Sequence, residues 1–277
     1  MAIILDGKKI RDNTREQLKV AFGKLPFKSK LVIIKVGEDA VQDVYVRQKK
    51  IFGDSIGVEV TVIGIPANSN EKEIIGVIEK ENNDKNTHGI IVQLPLPKEL
   101  DKLAIIEAIN PEKDVDSLTS LNTKKLYLGF SKFIPATTKG ILTLLDYYKI
   151  PIVGKRICVV GRSNLVGKPT AIAFVNKGAT VTVCHSQTTN LPEETKRADI
   201  LIVATGHPSL ISKDYVSSGQ VVIDVGLSRV KGKLVGDVVS DEVERMVFAI
   251  TPVPGGVGPM TVASLFENLL ISVSEEV

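Results

Sequence analysis

The stretch Arg156-Ile157-Cys158-Val159-Val160-Gly161-Arg162-Ser163-Asn164-Leu165-Val166-Gly167-Lys168-Pro169 decides the fold. Arg156 to Val160 reads as a strand, the glycine after it as a turn, and Lys168 to Asn176 as a helix. A glycine turn between a strand and a helix lets backbone amides approach a pyrophosphate at the positive helix end. The pattern is a variant of the dinucleotide fingerprint, because Ser163 stands where glycine is usual. Taken alone it fits a plain steric turn as well as nucleotide binding. Its position sharpens the reading, since it opens a group of strands: Thr180 to Cys184, Ile200 to Val203 and Val221 to Val225.

At the end of the next strand an NAD site usually places an acid that holds the ribose hydroxyls. The segment Val183-Cys184-His185-Ser186-Gln187-Thr188-Thr189-Asn190 contains none. With Arg162 beside it, a 2′-phosphate would meet a cation and hydroxyls, so NADP is the expected cofactor. The cofactor-binding set is Gly161, Arg162, Ser163, Gly167, Ser186, Thr205 and Gly206. His185 reads equally as a strand-end histidine without a ligand.

Upstream, Leu31 to Val36, Val58 to Ile63 and Gly89 to Val92 form a second set of short Val- and Ile-rich runs between segments of helical period. That alternation marks β-α units on parallel sheets, and the unbroken apolar runs imply sheets covered on both faces. The expected fold is α/β in two domains. Residues 1–136 form a substrate domain, completed by a C-terminal helix at 259–277, and residues 137–258 form a Rossmann-like domain with a parallel sheet. The active site is expected in a cleft between them. Thr137 to Lys149 carries Ile141, Leu144, Leu145 and Tyr148 at amphipathic spacing, and Thr261 to Val273 reads as a helix expected to return to the first domain. Thr251 to Pro259, with three prolines and three glycines, reads as irregular.

The chain of 277 residues is 43% hydrophobic and 24% charged, the proportions of an ordinary globular protein. A net charge of +3 with no basic stripe makes nucleic acid a poor partner. Cys158 and Cys184 lie in apolar runs without companions at metal-ligand spacing, as buried, reduced thiols would. The amino terminus turns polar after Leu5, too soon for a signal peptide, and no run is long enough to span a membrane. A cytoplasmic protein is expected.

In the first domain, Tyr45 and Lys49 are four apart on a helix read from Ala40 to Ile56, and so share a face. The pair fits a ring-stacking and proton-moving role, or ordinary helix surface. Gln93 follows the strand Gly89 to Val92, at the end where ligands of parallel sheets collect, and precedes Leu94-Pro95-Leu96-Pro97. It reads as a site residue or a strand terminator. Asp114 and Asp116 lie in an acidic loop whose carboxylates could seize the donor edge of a heterocycle or cap a turn.

Over essentially its whole length the chain resembles the bifunctional methylenetetrahydrofolate dehydrogenase/cyclohydrolases. The resemblance rests on Val159 to Pro169, on Val181-Thr182-Val183-Cys184-His185-Ser186 and on Ile250-Thr251-Pro252-Val253-Pro254-Gly255-Gly256-Val257-Gly258-Pro259-Met260-Thr261. It implies that Lys49 is the acid/base lysine, that Gln93 tunes its protonation, that Tyr45 stacks on the folate and that Asp116 binds the pterin. Leu94, Thr137, Pro254, Gly255 and Gly256 would complete the substrate-binding set, with no metal required. A homodimer is implied as well. Two departures stand out: the family commonly reads Pro-Cys-Thr-Pro where this chain has Pro135-Ala136-Thr137-Thr138, and glycine where Ser117 stands. The rival readings are a monofunctional dehydrogenase, a shikimate-dehydrogenase-like oxidoreductase and a non-catalytic NADP-binding sensor.

Overall fold

The computed structural model describes residues 2–274. The first half runs β1 (Ile3–Ile4), α1 (Gly7–Gly23), β2 (Lys30–Val36), α2 (Ala40–Ser55), β3 (Glu59–Ile65), α3 (Glu71–Asn83), β4 (Gly89–Val92), α4 (Lys102–Glu107) and α5 (Ser120–Tyr127). There follow α6 (Ala136–Tyr147), β5 (Arg156–Val160), α7 (Gly167–Asn176), β6 (Thr180–Cys184), α8 (Leu191–Lys196), β7 (Ile200–Val203) and β8 (Val221–Asp224). The chain then forms β9 (Ser228–Val230), β10 (Lys233–Val235), α9 (Ser240–Val243), β11 (Ala249–Ile250) and α10 (Val257–Val273). It folds as two compact units. One is Asp12–Ala136 with the chain from Val262 onward; the other is Thr137–Thr261 with the residues up to Arg11.

The first unit is built on a parallel sheet of order β3-β2-β4. Strands β2, at the centre, and β4, at one edge, are apolar almost throughout and buried on both faces, whereas β3 at the other edge alternates. Strand order reverses at β2, so the carboxyl ends of β2 and β4 form a switch point, the usual ligand position in such sheets. From α10, Leu265, Phe266, Leu269 and Val273 enter this unit's core beside Leu31, Ile33 and Phe52. Polar ties lock the same helix down: Asn268 Nδ2 donates to Val115 O at 2.9 Å and Ile134 O at 2.8 Å, and Ser272 Oγ donates to His88 O at 2.8 Å.

The second unit carries a six-stranded sheet of order β1-β11-β8-β7-β5-β6, parallel throughout. Here the order reverses at β5, between β6 and β7, which again sets a switch point at the carboxyl ends. The antiparallel pair β9 and β10 turns at Lys231 and Gly232, whose φ values of 48° and 81° suit a tight hairpin.

Three expectations need correction. Residues up to Arg11 belong to the second unit, because Ile3 and Ile4 pair with Ala249 and Ile250 as a sixth strand and Leu5 and Ile10 join that core. The final helix begins at Val257, inside the segment read as irregular. Pro259 lies in its first turn, where an amide has no helical acceptor and proline is tolerated. The first unit regains the chain at Val262 rather than 259, so Thr137–Thr261 replaces 137–258.

Candidate active site

Burial and one hydrogen bond organise the first unit's switch point. Gln93 is 9% exposed, and its backbone amide continues the sheet by donating to Ile34 O at 2.8 Å. Its side-chain Nε2 donates to Leu94 O at 3.0 Å, which leaves Oε1 to accept from Lys49 Nζ at 3.1 Å. Burial lowers the Lys49 ammonium from the ordinary lysine range, with Asp116 opposing. The Asp116 carboxyl is raised by burial, opposed by Lys49 and reinforced by Asp114. In both groups desolvation outweighs the opposite charge, so the site holds a lysine unusually ready to lose its proton. Tyr45 lies one turn before Lys49 on α2 and is 36% exposed, with burial raising its phenol.

The loop carrying Asp116 is held from several sides. The buried Asp114 carboxylate accepts from the amides of Leu118 at 3.1 Å and Thr119 at 2.8 Å and from Asn122 Nδ2 at 2.9 Å. Asp114 is therefore the turn cap, and Asp116 is the acid electrostatically coupled to Lys49. Ser117 has a φ of 59° and is buried, so the glycine usual there is explained by a left-handed conformation. Its hydroxyl donates to Phe133 O at 3.1 Å, which offsets part of the cost of a side chain in that region. Gln42, which sequence reasoning passed over, donates from Nε2 to Pro95 O at 2.8 Å and so ties α2 to the Leu94-Pro95 turn.

In the second unit the glycines make the turn possible. A side chain at Gly161 would meet Ala204 O at 2.2 Å, and one at Gly167 would meet Gly161 O at 2.1 Å. Ser163, replacing a fingerprint glycine, holds the turn that leads into α7, its Oγ accepting from the amides of Val166 at 3.2 Å and Gly167 at 3.4 Å. Arg162 Nη2 donates to Gln187 Oε1 at 3.1 Å, placing a cation at the turn that follows β6 and carries Ser186. His185 holds that turn itself, its Nδ1 accepting from Gln187 N at 3.2 Å. Thr205 and Gly206 follow β7, and their amides donate to Asp237 Oδ2. Thr137 Oγ1 accepts from Thr261 Oγ1 at 3.2 Å, and buried Thr138, where the family has proline, pairs hydroxyls with Thr170 at 2.9 Å. Pro254 follows a cis peptide, Gly255 has a φ of 119°, and a side chain at Gly256 would meet Pro252 O at 2.7 Å.

The structure thus joins Lys49, Gln93 and Asp116 in the first unit and gathers Gly161, Arg162, Ser163, Gly167 and the Ser186 turn in the second. Asp237, Gln42 and Asn268 went unread, because a buried polar brace leaves no periodic signal.

A doubly wound sheet with a tight glycine turn at its switch point, in a chain that also presents a partly buried lysine-amide pair, defines an enzyme combining a dinucleotide site with proton-transfer chemistry. Residues 5–116 match the tetrahydrofolate dehydrogenase/cyclohydrolase catalytic domain, and residues 135–277 match that family's NAD(P)-binding domain. The bifunctional protein FolD of Exiguobacterium sibiricum is 46% identical, over 98% of this chain and 99% of its own. The FolD methylenetetrahydrofolate dehydrogenase/cyclohydrolase of Campylobacter jejuni is 40% identical, with a TM-score of 0.98 over the whole of both chains. The Trypanosoma brucei FolD, solved with NADP and inhibitor, is 32% identical, with a TM-score of 0.95 over 99% of this chain and 98% of that one. The chain belongs to the tetrahydrofolate dehydrogenase/cyclohydrolase family and is an enzyme of one-carbon folate interconversion. Among the described residues, no helix is long and apolar enough to cross a membrane.

Proposed function

We propose that this enzyme oxidises 5,10-methylenetetrahydrofolate with NADP and then hydrolyses the methenyl product to 10-formyltetrahydrofolate, with Lys49 moving the protons of the second step. The observation that carries this reading is the 3.1 Å contact between Lys49 Nζ and Gln93 Oε1 at a lysine whose charge is disfavoured by burial.

NADP, when bound, supplies the hydride acceptor. The residues of the second unit fit it. Gly161 and Gly167 admit no side chain, Arg162 reaches the turn after β6, and that turn holds no acid to repel a 2′-phosphate. In the first unit Tyr45 stacks on the folate, and Asp116 accepts from the pterin's donor edge.

Neutral Lys49 takes a proton from the water that adds to the methenyl carbon. As the bond from that carbon to N5 breaks, the ammonium returns a proton to N5 and the hydroxyl left by the water gives up its own proton to solvent, so that oxygen becomes the carbonyl of the formyl group on N10. Gln93, accepting from Lys49, holds the amine in place through both transfers. The enzyme works in the cytoplasm as a homodimer, and sedimentation showing single chains only at working concentration would remove the second half of that statement.

The test follows NADPH, methenyl and formyl products separately in the unmodified enzyme and in Lys49→Met. The unmodified enzyme is expected to form NADPH and to yield formyl product faster than spontaneous hydrolysis. Loss of general acid/base catalysis should cut hydrolysis in the variant by at least about 100-fold while NADP still binds. Hydrolysis retained by Lys49→Met would take the role from Lys49, and an unmodified enzyme that stops at methenyl would be a dehydrogenase alone.

A further inference from the structure

Two buried aspartates meet at the carboxyl ends of β7 and β8. Asp224 closes β8 and Asp237 follows the β9-β10 hairpin, and they are 1% and 0% exposed. Asp224 Oδ1 accepts from the amides of Gly226 at 2.9 Å and Asp237 at 3.0 Å, and its Oδ2 accepts from Val238 N at 3.0 Å. Asp237 Oδ2 in turn accepts from Thr205 N at 2.7 Å, Thr205 Oγ1 at 2.8 Å and Gly206 N at 2.9 Å. Its Oδ1 is buried with no hydrogen-bond partner. Glycines make room for both acids: a side chain at Gly226 would meet Asp237 Cγ at 2.1 Å, and one at Gly236 would meet Asp224 Oδ2 at 1.9 Å.

This arrangement is costly. Burying a carboxylate with one idle oxygen beside a second acid disfavours the fold. Burial, with the charge of Asp237 adding to it, pushes Asp224 up to about 6 against the pull of three amides. What the acids gain is control of one turn. Asp224 fixes the backbone at Asp237 and Val238, and Asp237 then fixes Thr205 and Gly206, the turn after β7 at the switch point of the sheet.

We propose that Asp237 is a positioning residue for the dinucleotide, consuming the donors of the Thr205-Gly206 turn so that the turn meets the cofactor as a set of acceptors. With both amides and the Thr205 hydroxyl hydrogen committed to Asp237, the turn keeps its carbonyl oxygens for bonding. These suit ribose hydroxyls, which can donate, and repel phosphate oxygens, which cannot. The inference rests on the reading that the second unit binds NADP, and Asp237 acts through the turn without touching the reacting atoms.

The experiment begins with NADP titrated into the unmodified enzyme; failure to bind would remove the NADP reading and the proposal with it. Given binding, Asp237→Ala is expected to weaken NADP by about tenfold or more. That fold-change corresponds to about 1.4 kcal/mol. The KM for methylenetetrahydrofolate should stay within about twofold of the unmodified value, an asymmetry that general loosening of the fold would not produce. Asp237→Asn should restore NADP affinity, because its amide oxygen replaces Oδ2 as acceptor at the turn. A folded Asp237→Ala enzyme with unchanged NADP affinity overturns the proposal. Should that variant fail to fold, amide hydrogen exchange in the unmodified enzyme decides. Thr205 and Gly206 are expected to be protected before NADP is added, and free exchange that slows only on binding would show that those amides serve the cofactor instead.

Discussion

On the proposed assignment, Lys49 sets the pH behaviour of hydrolysis. Burial lowers its pKa from 10.5, so the neutral amine that hydrolysis needs is reached at a lower pH than for a free lysine. Hydrolysis should therefore rise with pH through the lowered value and level off before the ordinary lysine range. The sign is the same for stability: between the two pKa values the unfolded chain binds the proton and the folded one does not, so this group's contribution improves as pH rises. A kcat profile for cyclohydrolase that climbs only near 10.5, or is flat, would contradict the assignment. At this scale the sequence spoke unevenly. Tyr45, Lys49 and Gln93 carried weak signals of spacing and strand position, and the resemblance supplied their roles. Ser117 could be seen as a departure, but its φ of 59°, which makes glycine the usual choice there, is a backbone fact that sequence does not display.

Among the elements, the strands that read best are those buried on both faces, since β2, β4, β5, β7 and β8 are apolar over four or more residues or nearly so and leave little ambiguity. Strands β1 and β11 have two residues each and show no period, and the β9-β10 hairpin is polar and half exposed, so none of these was read. The glycine turn after β5 was readable in kind, and the structure adds how little room it leaves. Gly167→Ala would place a methyl 2.1 Å from the carbonyl oxygen of Gly161, a backbone atom that cannot swing aside. Thermal denaturation and NADP titration should both register this, with stability lowered by about 1–3 kcal/mol and cofactor affinity reduced together with it. A variant that melts and binds normally would mean that the turn is looser than described.

For the whole chain, the division into units was readable at Ala136 and Thr137 and misread at the amino terminus. The long stretch without strong strands marks the first place, whereas residues that cross to another unit leave no mark of doing so. The units are discontinuous in sequence, each taking a piece from the opposite end of the chain. Ending the chain before Val262 would strip Leu265, Phe266, Leu269 and Val273 from the first unit's core and remove the Asn268 bonds to Val115 and Ile134. Phe266 is 0% exposed, and losing a buried phenylalanine alone costs about 3–5 kcal/mol. Such a truncation should abolish the cooperative melting of the first unit in scanning calorimetry. A truncated chain with an undiminished transition would show that α10 is dispensable there.

The same helix determines when the first unit can finish folding as it is made. Strands β2 to β4 leave the ribosome before β5 to β8, but the α10 residues that close their core follow the last strand of the second unit. At about 5–20 residues per second, the interval between Ala136 and Val273 is on the order of ten seconds. During that time the apolar faces of β2 and β4 lack their final cover, while the second unit already has every strand it needs by Ile250. The later-made unit is therefore the first that can be complete, and the nascent chain is most in need of chaperone protection at its older end.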